Sequence, residues 1–118
     1  MHDTGKKILI IDDETDLCLL LKDYFVRKNY EVVVSHILSE GIDNIKSQHP
    51  EILFLDYNLP DGIGWDYAPS IAADFPDTYI VLVSAFHSVI PKMPAGAQFR
   101  VIEKPISMSE LNTQFSDL

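Results

Sequence analysis

Apolar residues along this chain alternate between two patterns: short unbroken runs, and stretches where they return every third or fourth position. The first run, Ile8 to Ile11, is mostly β-branched and ends on the paired acids Asp12 and Asp13. An unbroken run suits a parallel strand covered on both faces, which has no solvent side for polar residues. A short β-branched run makes a strand of Glu31 to Ser35 (EVVVS), the unbroken-run reading makes strands of Glu51 to Asp56 (EILFLD) and Tyr79 to Ser84 (YIVLVS), and Arg100 to Glu103 is a shorter fifth. Between the first two, Leu17, Leu20, Leu21, Tyr24 and Phe25 fall at i, i+3, i+4, i+7 and i+8. That spacing predicts a one-sided helix, capped by Thr15 or Asp16, with Arg27 and Lys28 at its carboxyl end and Asn29 as its stop.

Ser39 opens a weaker helix that contains Gly41, buries Ile42 and Ile45, and ends before Pro50. Tyr57 to Gly64 (YNLPDGIG) is dense in turn residues, and a third helix runs from about Trp65 to Asp74, ending before Pro76. Pro91 and Pro94 stand where a fourth helix belongs. Because proline in a helix interior costs about 3 kcal/mol, the segment from Ala85 to Phe99 is expected to hold at most a short or irregular fourth helix. A terminal helix starts at Ser107 or Ser109, with Glu110 as a capping-box or first-turn acid.

Strands alternating with helices define an α/β class, with right-handed crossovers and helices on both faces of a parallel sheet. Five strands fit the flavodoxin-like, doubly wound order 2-1-3-4-5, in which ligands sit beyond the carboxyl ends of the first and third strands. Asp12, Asp13 and Asp56 are thereby expected to converge at one edge, adjacent strands being about 4.8 Å apart.

Composition narrows the function. A length of 118 residues, 47% apolar and 23% charged, predicts one soluble domain. The formal charge of −9 argues against a nucleic-acid surface and suits a metal cation. Cys18 is the one cysteine, so no intrachain disulfide forms, a reducing cytoplasm is compatible, and packing is its expected role. The apolar run after MHDTGKK lasts four residues, short of the roughly 7 to 15 of a signal peptide and the roughly 20 of a membrane span.

Asp12 and Asp13 suit either cation ligation or the start of the following helix. Convergence with Asp56 favours the cation: two like charges about 4 Å apart repel by about 1 kcal/mol in water and about 4 at an effective dielectric of 20. An all-oxygen set favours Mg2+, whose common use is to bridge carboxylates to phosphoryl oxygens. Ser84 ends the fourth strand with a hydroxyl donor beside the small Ala85, and Lys104 ends the fifth with an ammonium. Both suit phosphoryl oxygens, and an aspartate can accept a phosphoryl group as an acyl phosphate. Singly, Ser84 also reads as a turn former, Lys104 as a surface charge and Asp56 as a cap; four of five strand ends carrying the needed group is what sets them apart.

These residues resemble the receiver domain of two-component response regulators, over essentially the whole chain. The acidic pair Asp12 and Asp13 follows strand one, and Asp56 is followed by Asn58, Leu59, Pro60 and Gly64. Ser84 and Ala85 follow strand four, and Lys104 and Pro105 follow strand five. The resemblance implies that residues 1–118 are a single receiver domain, standing alone or excised from a longer regulator or hybrid kinase. It implies that Asp56 accepts a phosphoryl group from a histidine kinase or phosphotransfer protein. Asp13, Asp56 and the backbone carbonyl of Asn58 would ligate Mg2+, Asp12 would assist through water, and Ser84 and Lys104 would bind the phosphoryl oxygens. A cis peptide before Pro105 is common in the family. The implied protein is cytoplasmic, phosphorylates and dephosphorylates itself with Mg2+, has no independent substrate, and signals through an output domain or a homodimer, without direct nucleic-acid or membrane binding.

The pattern departs from the family at Val101, three residues before Lys104, where receivers usually carry Tyr or Phe as a switch; Phe99 lies two positions earlier. That departure and the prolines motivate a rival, a pseudo-receiver that keeps the fold as an interaction module without phosphorylation. A haloacid-dehalogenase-type phosphatase would need acids at alternate positions, which Asp12 and Glu14 only approximate, and a flavin phosphate would be repelled by DDET. His2, His36, His49 and His87 show no metal-ligand spacing and read as surface residues, and Trp65 as a packing residue.

Overall fold

The computed structural model describes residues 6–86 and 88–117. The elements in chain order are β1 (Lys7–Ile11), α1 (Thr15–Val26), β2 (Glu31–Ser35), α2 (Leu38–Gln48), β3 (Ile52–Asp56), β4 (Asn58–Leu59) and β5 (Gly62–Ile63). A 3-10 turn (Gly64–Tyr67), α3 (Ala68–Asp74), β6 (Tyr79–Ser84), β7 (Phe99–Glu103) and α4 (Met108–Phe115) follow. The main sheet has five strands in the order β2-β1-β3-β6-β7, every pair parallel. This is the expected flavodoxin-like order, with β4 and β5 set apart as a two-stranded antiparallel hairpin.

The unbroken apolar runs divide between the two faces because successive side chains on a strand point oppositely. Ile8, Ile10, Phe54, Val81, Val83 and Ile102 pack with Leu17, Leu21 and Phe25 of α1 and Leu111 and Phe115 of α4. Leu9, Ile11, Leu53, Leu55, Ile80 and Leu82 pack with Leu38 and Ile45 of α2, Trp65, and Ala68 and Ile71 of α3. Gly41 is what lets α2 lie on β1, since a Cβ there would run into the side chain of Ile11. Cys18 is buried in the first cluster, where burial, and next the nearby Asp12 charge, push its thiol up to about 12, as expected of a packing residue.

Several helix ends differ from the expectation. Glu14, rather than Thr15 or Asp16, holds the N-cap position of α1. The helix ends at Val26 with Arg27 as its C-cap, earlier than expected, and Asn29 lies two residues further on in the left-handed region at φ 69. Helix α2 starts at Leu38, one residue before Ser39, and buries Leu38 with Ile45 while Ile42 is only partly covered. Trp65 falls in the 3-10 turn, which delays α3 to Ala68. Ser107 is the cap of α4, its hydroxyl accepting from the Glu110 amide at 3.1 Å.

The fourth expected helix is absent among the described residues from Ala85 to Gln98, which run from β6 to β7 in bends, a turn and chain without regular structure. Pro91 and Pro94 remove helical donors there, and these described residues hold no turn of helix. The consequence is a thinner cover over this part of the sheet: Val101 is 41% exposed, and Phe86 and Val89 are more so. His2 and His87 lie outside the described residues, whereas His36 and His49 are exposed as expected. No helix among the described residues is long and apolar enough to cross a membrane.

Candidate functional site

Sheet register brings the polar strand ends together. Ile11 pairs with Leu55, so Asp12 comes level with Asp56, and Asp56 pairs with Val83, one residue before Ser84. Ser84 pairs with Glu103, one residue before Lys104, whose amide donates to the Ser84 carbonyl at 2.8 Å. A single edge of the sheet therefore collects groups separated by up to 92 positions. The peptide joining Lys104 to Pro105 is cis, as the resemblance implied.

Asp12, Asp13 and Asp56 each offer a carboxylate oxygen, and these atoms all lie within 4.8 Å of one another. Asp12 and Asp56 are buried and Asp13 is exposed, so the cluster opens to solvent on one side. An all-oxygen donor set suits Mg2+, and a span of up to 4.8 Å, wider than the roughly 4.2 Å across two directly bound oxygens, leaves space for a water between the ion and one carboxylate. The open side leaves room for the waters that Mg2+ retains. Asn58, on β4, lines the same cleft as Asp13, Asp56, Ser84 and Lys104.

Lys104 is the cation of this cleft. Its Nζ stands 3.2 Å from Asp12 Oδ2 and 3.4 Å from Asp56 Oδ1. Burial alone would lower its pKa, but the Glu14 hydrogen bond and the charges of Asp12 and Asp56 raise it, so the ammonium stays charged. Burial, reinforced by the Asp12 charge, lifts Asp56 to about 6 despite the opposing pull of Lys104. Asp12 is raised as well, again by burial, with the Glu14 amide and Lys104 opposing. The cluster thus carries more negative charge than its one lysine relieves, the electrostatic condition that a divalent ion removes.

Ser84 is at the edge as expected, but its hydroxyl is occupied in its own loop. It donates to the Phe86 carbonyl at 2.5 Å, sits 2.9 Å from the Ser88 hydroxyl and accepts from the Phe86 amide at 3.2 Å.

Three participants escaped the sequence reading. Glu14 Oε1 lies 2.7 Å from Lys104 Nζ, nearer than either buried aspartate, and the only signal was an acid two positions after Asp12. Ser88 bonds Ser84 from a segment without regular structure. His36, read only as a surface residue, donates from Nδ1 to the Asp12 carbonyl at 2.9 Å, which steadies the turn into α1. Trp65 is a packing residue as expected: it is 2% exposed, and its indole N–H donates to the Leu55 carbonyl one residue before Asp56.

Comparison with known proteins agrees with this geometry. The chain is 30% identical over 111 residues to the chemotaxis protein CheY of Thermotoga maritima, covering 91% of this chain and 92% of that one. It is 28% identical over 90% of its length to the response regulator protein PilR of Pseudomonas aeruginosa, but spans only 24% of that longer protein. Among solved structures, the response regulator protein TrrA of Thermotoga maritima, in complex with the histidine kinase ThkA, superimposes with a TM-score of 0.75. That match has 25% sequence identity and covers 94% of this chain and 96% of the other. The model of the response regulator receiver domain matches residues 8–116. With nearly the whole chain matched, and the acidic cluster and its lysine where the register puts them, this protein belongs to the response regulator receiver domain family.

Proposed function

We propose that the protein is a phosphoacceptor switch in which Asp56 takes a phosphoryl group from the phosphohistidine of a histidine kinase or phosphotransfer protein. The observation that carries this reading is the position of Lys104 Nζ, within 3.4 Å of both buried aspartates at an edge where three carboxylate oxygens gather. A carboxylate oxygen of Asp56 forms the new P–O bond while the P–N bond of the donor breaks, the electron pair leaving with the imidazole nitrogen. Mg2+, held by Asp13, Asp56 and the Asn58 carbonyl with Asp12 acting through water, would neutralise charge on the phosphoryl oxygens.

Lys104 supplies a second, fixed positive charge on the same oxygens, and Ser84 a hydroxyl once it leaves the Phe86 carbonyl. Release of Ser84 from its loop is the conformational consequence of phosphorylation in this reading, passed to the segment between β6 and β7. The cytoplasm, where kinases of this kind present their phosphohistidine, is the proposed compartment, and residues 1–118 the proposed extent of the receiver. The readout is an output domain or a second copy of the chain. Any chemistry is confined to Asp56 itself, without an independent substrate.

Mass spectrometry after incubation with acetyl phosphate and Mg2+ tests this. One added phosphoryl group on the wild type and none on Asp56→Asn is the expected result, and equal behaviour of the two rejects the proposal. A pseudo-receiver is the second reading, favoured by the occupied Ser84 hydroxyl and the missing helix before β7. It predicts no saturable change of Trp65 fluorescence on Mg2+ titration, whereas the phosphoacceptor reading requires one.

A further inference from the structure

Helix α2 begins without a cap of its own. Its N-cap position is Ile37, extended at φ −130 and ψ 156 with no side-chain hydrogen bond, and isoleucine is among the poorest residues there. The missing acceptor comes from 23 positions away: Asp61 Oδ1 accepts from the Leu38 amide at 2.6 Å, and Oδ2 from the Ser39 amide at 3.0 Å. These two backbone hydrogen bonds hold the Asp61 carboxyl below its ordinary range. The negative charge also meets the positive end of the helix.

The same contact acts on the loop that carries Asp61. This loop leaves Asp56, passes Asn58 and returns through a hairpin whose strands, β4 and β5, have two residues each. So short a pair is unstable by itself. Its base is closed by the Gly64 amide donating to the Tyr57 carbonyl at 2.8 Å, and by the Tyr57 amide donating to the Val83 carbonyl at 2.8 Å. Its tip is held by Asp61, and the neighbouring Gly62 packs so close to Leu38 that a Cβ there would stand 3.3 Å from Leu38 Cδ2. The chain bearing the Asn58 carbonyl is thus pinned at both ends, and one pin is a side chain on α2's amides.

We propose that Asp61 is a positioning residue for the metal site: by tying the hairpin tip to α2, it fixes where the Asn58 carbonyl stands relative to Asp56. This inference rests on the Mg2+ reading given above. It differs from a purely structural cap in one respect. A cap for α2 could be replaced locally, at Ile37, whereas the tether of the loop could not. Ile37 is 38% exposed and already has the extended backbone of a cap, so serine fits there.

Calorimetric titration of the full chain with MgCl2, paired with urea unfolding, separates the two roles. Asp61→Ala is expected to weaken Mg2+ binding about tenfold, the range typical of residues that orient metal ligands, and to lower the urea midpoint. Adding Ile37→Ser to Asp61→Ala is expected to recover most of the midpoint and none of the affinity. The double variant also supplies a folded comparison if Asp61→Ala alone unfolds. An unchanged Mg2+ affinity in the double variant, or in Asp61→Ala with only the midpoint lowered, reduces Asp61 to a cap and overturns the inference. A wild type that takes up no Mg2+ removes the site reading and this inference together, a result visible before any substitution is made.

Discussion

Lys104 Nζ lies 2.7 Å from Glu14 Oε1 and 3.4 Å from Asp56 Oδ1, so the lysine is held more closely by an exposed acid than by the proposed phosphoacceptor. A phosphoryl group on Asp56 would compete with Glu14 for that ammonium. The Glu14 side chain is 58% exposed, and pairs so open to water contribute about 1 kcal/mol or less. Glu14→Gln is therefore expected to tighten binding of beryllofluoride, a phosphoryl mimic, by up to about fivefold, with little effect on unfolding. Titration in the presence of Mg2+, read by Trp65 fluorescence, checks this. Weaker binding would show that Glu14 guides the lysine rather than competing for it.

Asp56 carries an electrostatic penalty whose sign can be followed with pH. Its carboxyl is raised from an ordinary 3.8 to about 6 by burial and by Asp12. Between these values the folded protein holds a proton that the unfolded chain has lost, so stability falls as pH rises through the window and levels off above it. Without metal at pH 7.5, Asp56→Asn is expected to be more stable than the wild type by about 1 to 3 kcal/mol. The gap should close towards pH 4. Urea unfolding in EDTA measures it, and a gap that widens on acidification contradicts the assignment.

Mg2+ should relieve the same penalty. At about 100 times its dissociation constant a ligand specific for the folded state adds about 2.7 kcal/mol. The melting temperature of the wild type should rise with MgCl2 at pH 7.5 and respond less at pH 5, where protons compete for Asp56. Asp13→Asn, which removes the exposed member of the cluster, should lose most of the response. A scan of melting temperature against MgCl2 for both proteins decides it.

Gly64 is where backbone meets the site most tightly. A Cβ at this position would collide with the backbone carbonyl oxygen of Asp56, which cannot swing aside as a side chain can. Gly64→Ala should destabilise the protein by about 1 to 3 kcal/mol or more, the range for overpacking a filled interior. It should also weaken Mg2+ binding, because the displaced residue is Asp56 itself. Urea unfolding and metal titration of the same preparation test both parts, and an unaltered protein would show that the turn has slack.

Much of this architecture is a local property of the chain. Tyr79 to Ser84 and Glu31 to Ser35 are strands at the boundaries their runs define, the first an apolar run buried on both faces and the second a β-branched run at the half-covered edge of the sheet. The strand order then needs only the alternation of strands and helices, and it aligns Asp12 with Asp56 and sets Ser84 and Lys104 beside them. What no local pattern contains is which long-range partner a polar side chain chooses. Asp61 caps a helix 23 positions away, and Glu14 reaches Lys104 across 90 positions. Ser84 turns to its own loop, where its hydroxyl donates to the Phe86 carbonyl. Hydrophobic periodicity records how much of an element is buried and says nothing of the direction in which a charged group finds its counterpart; only the folded arrangement, bringing distant atoms within hydrogen-bond range, decides that.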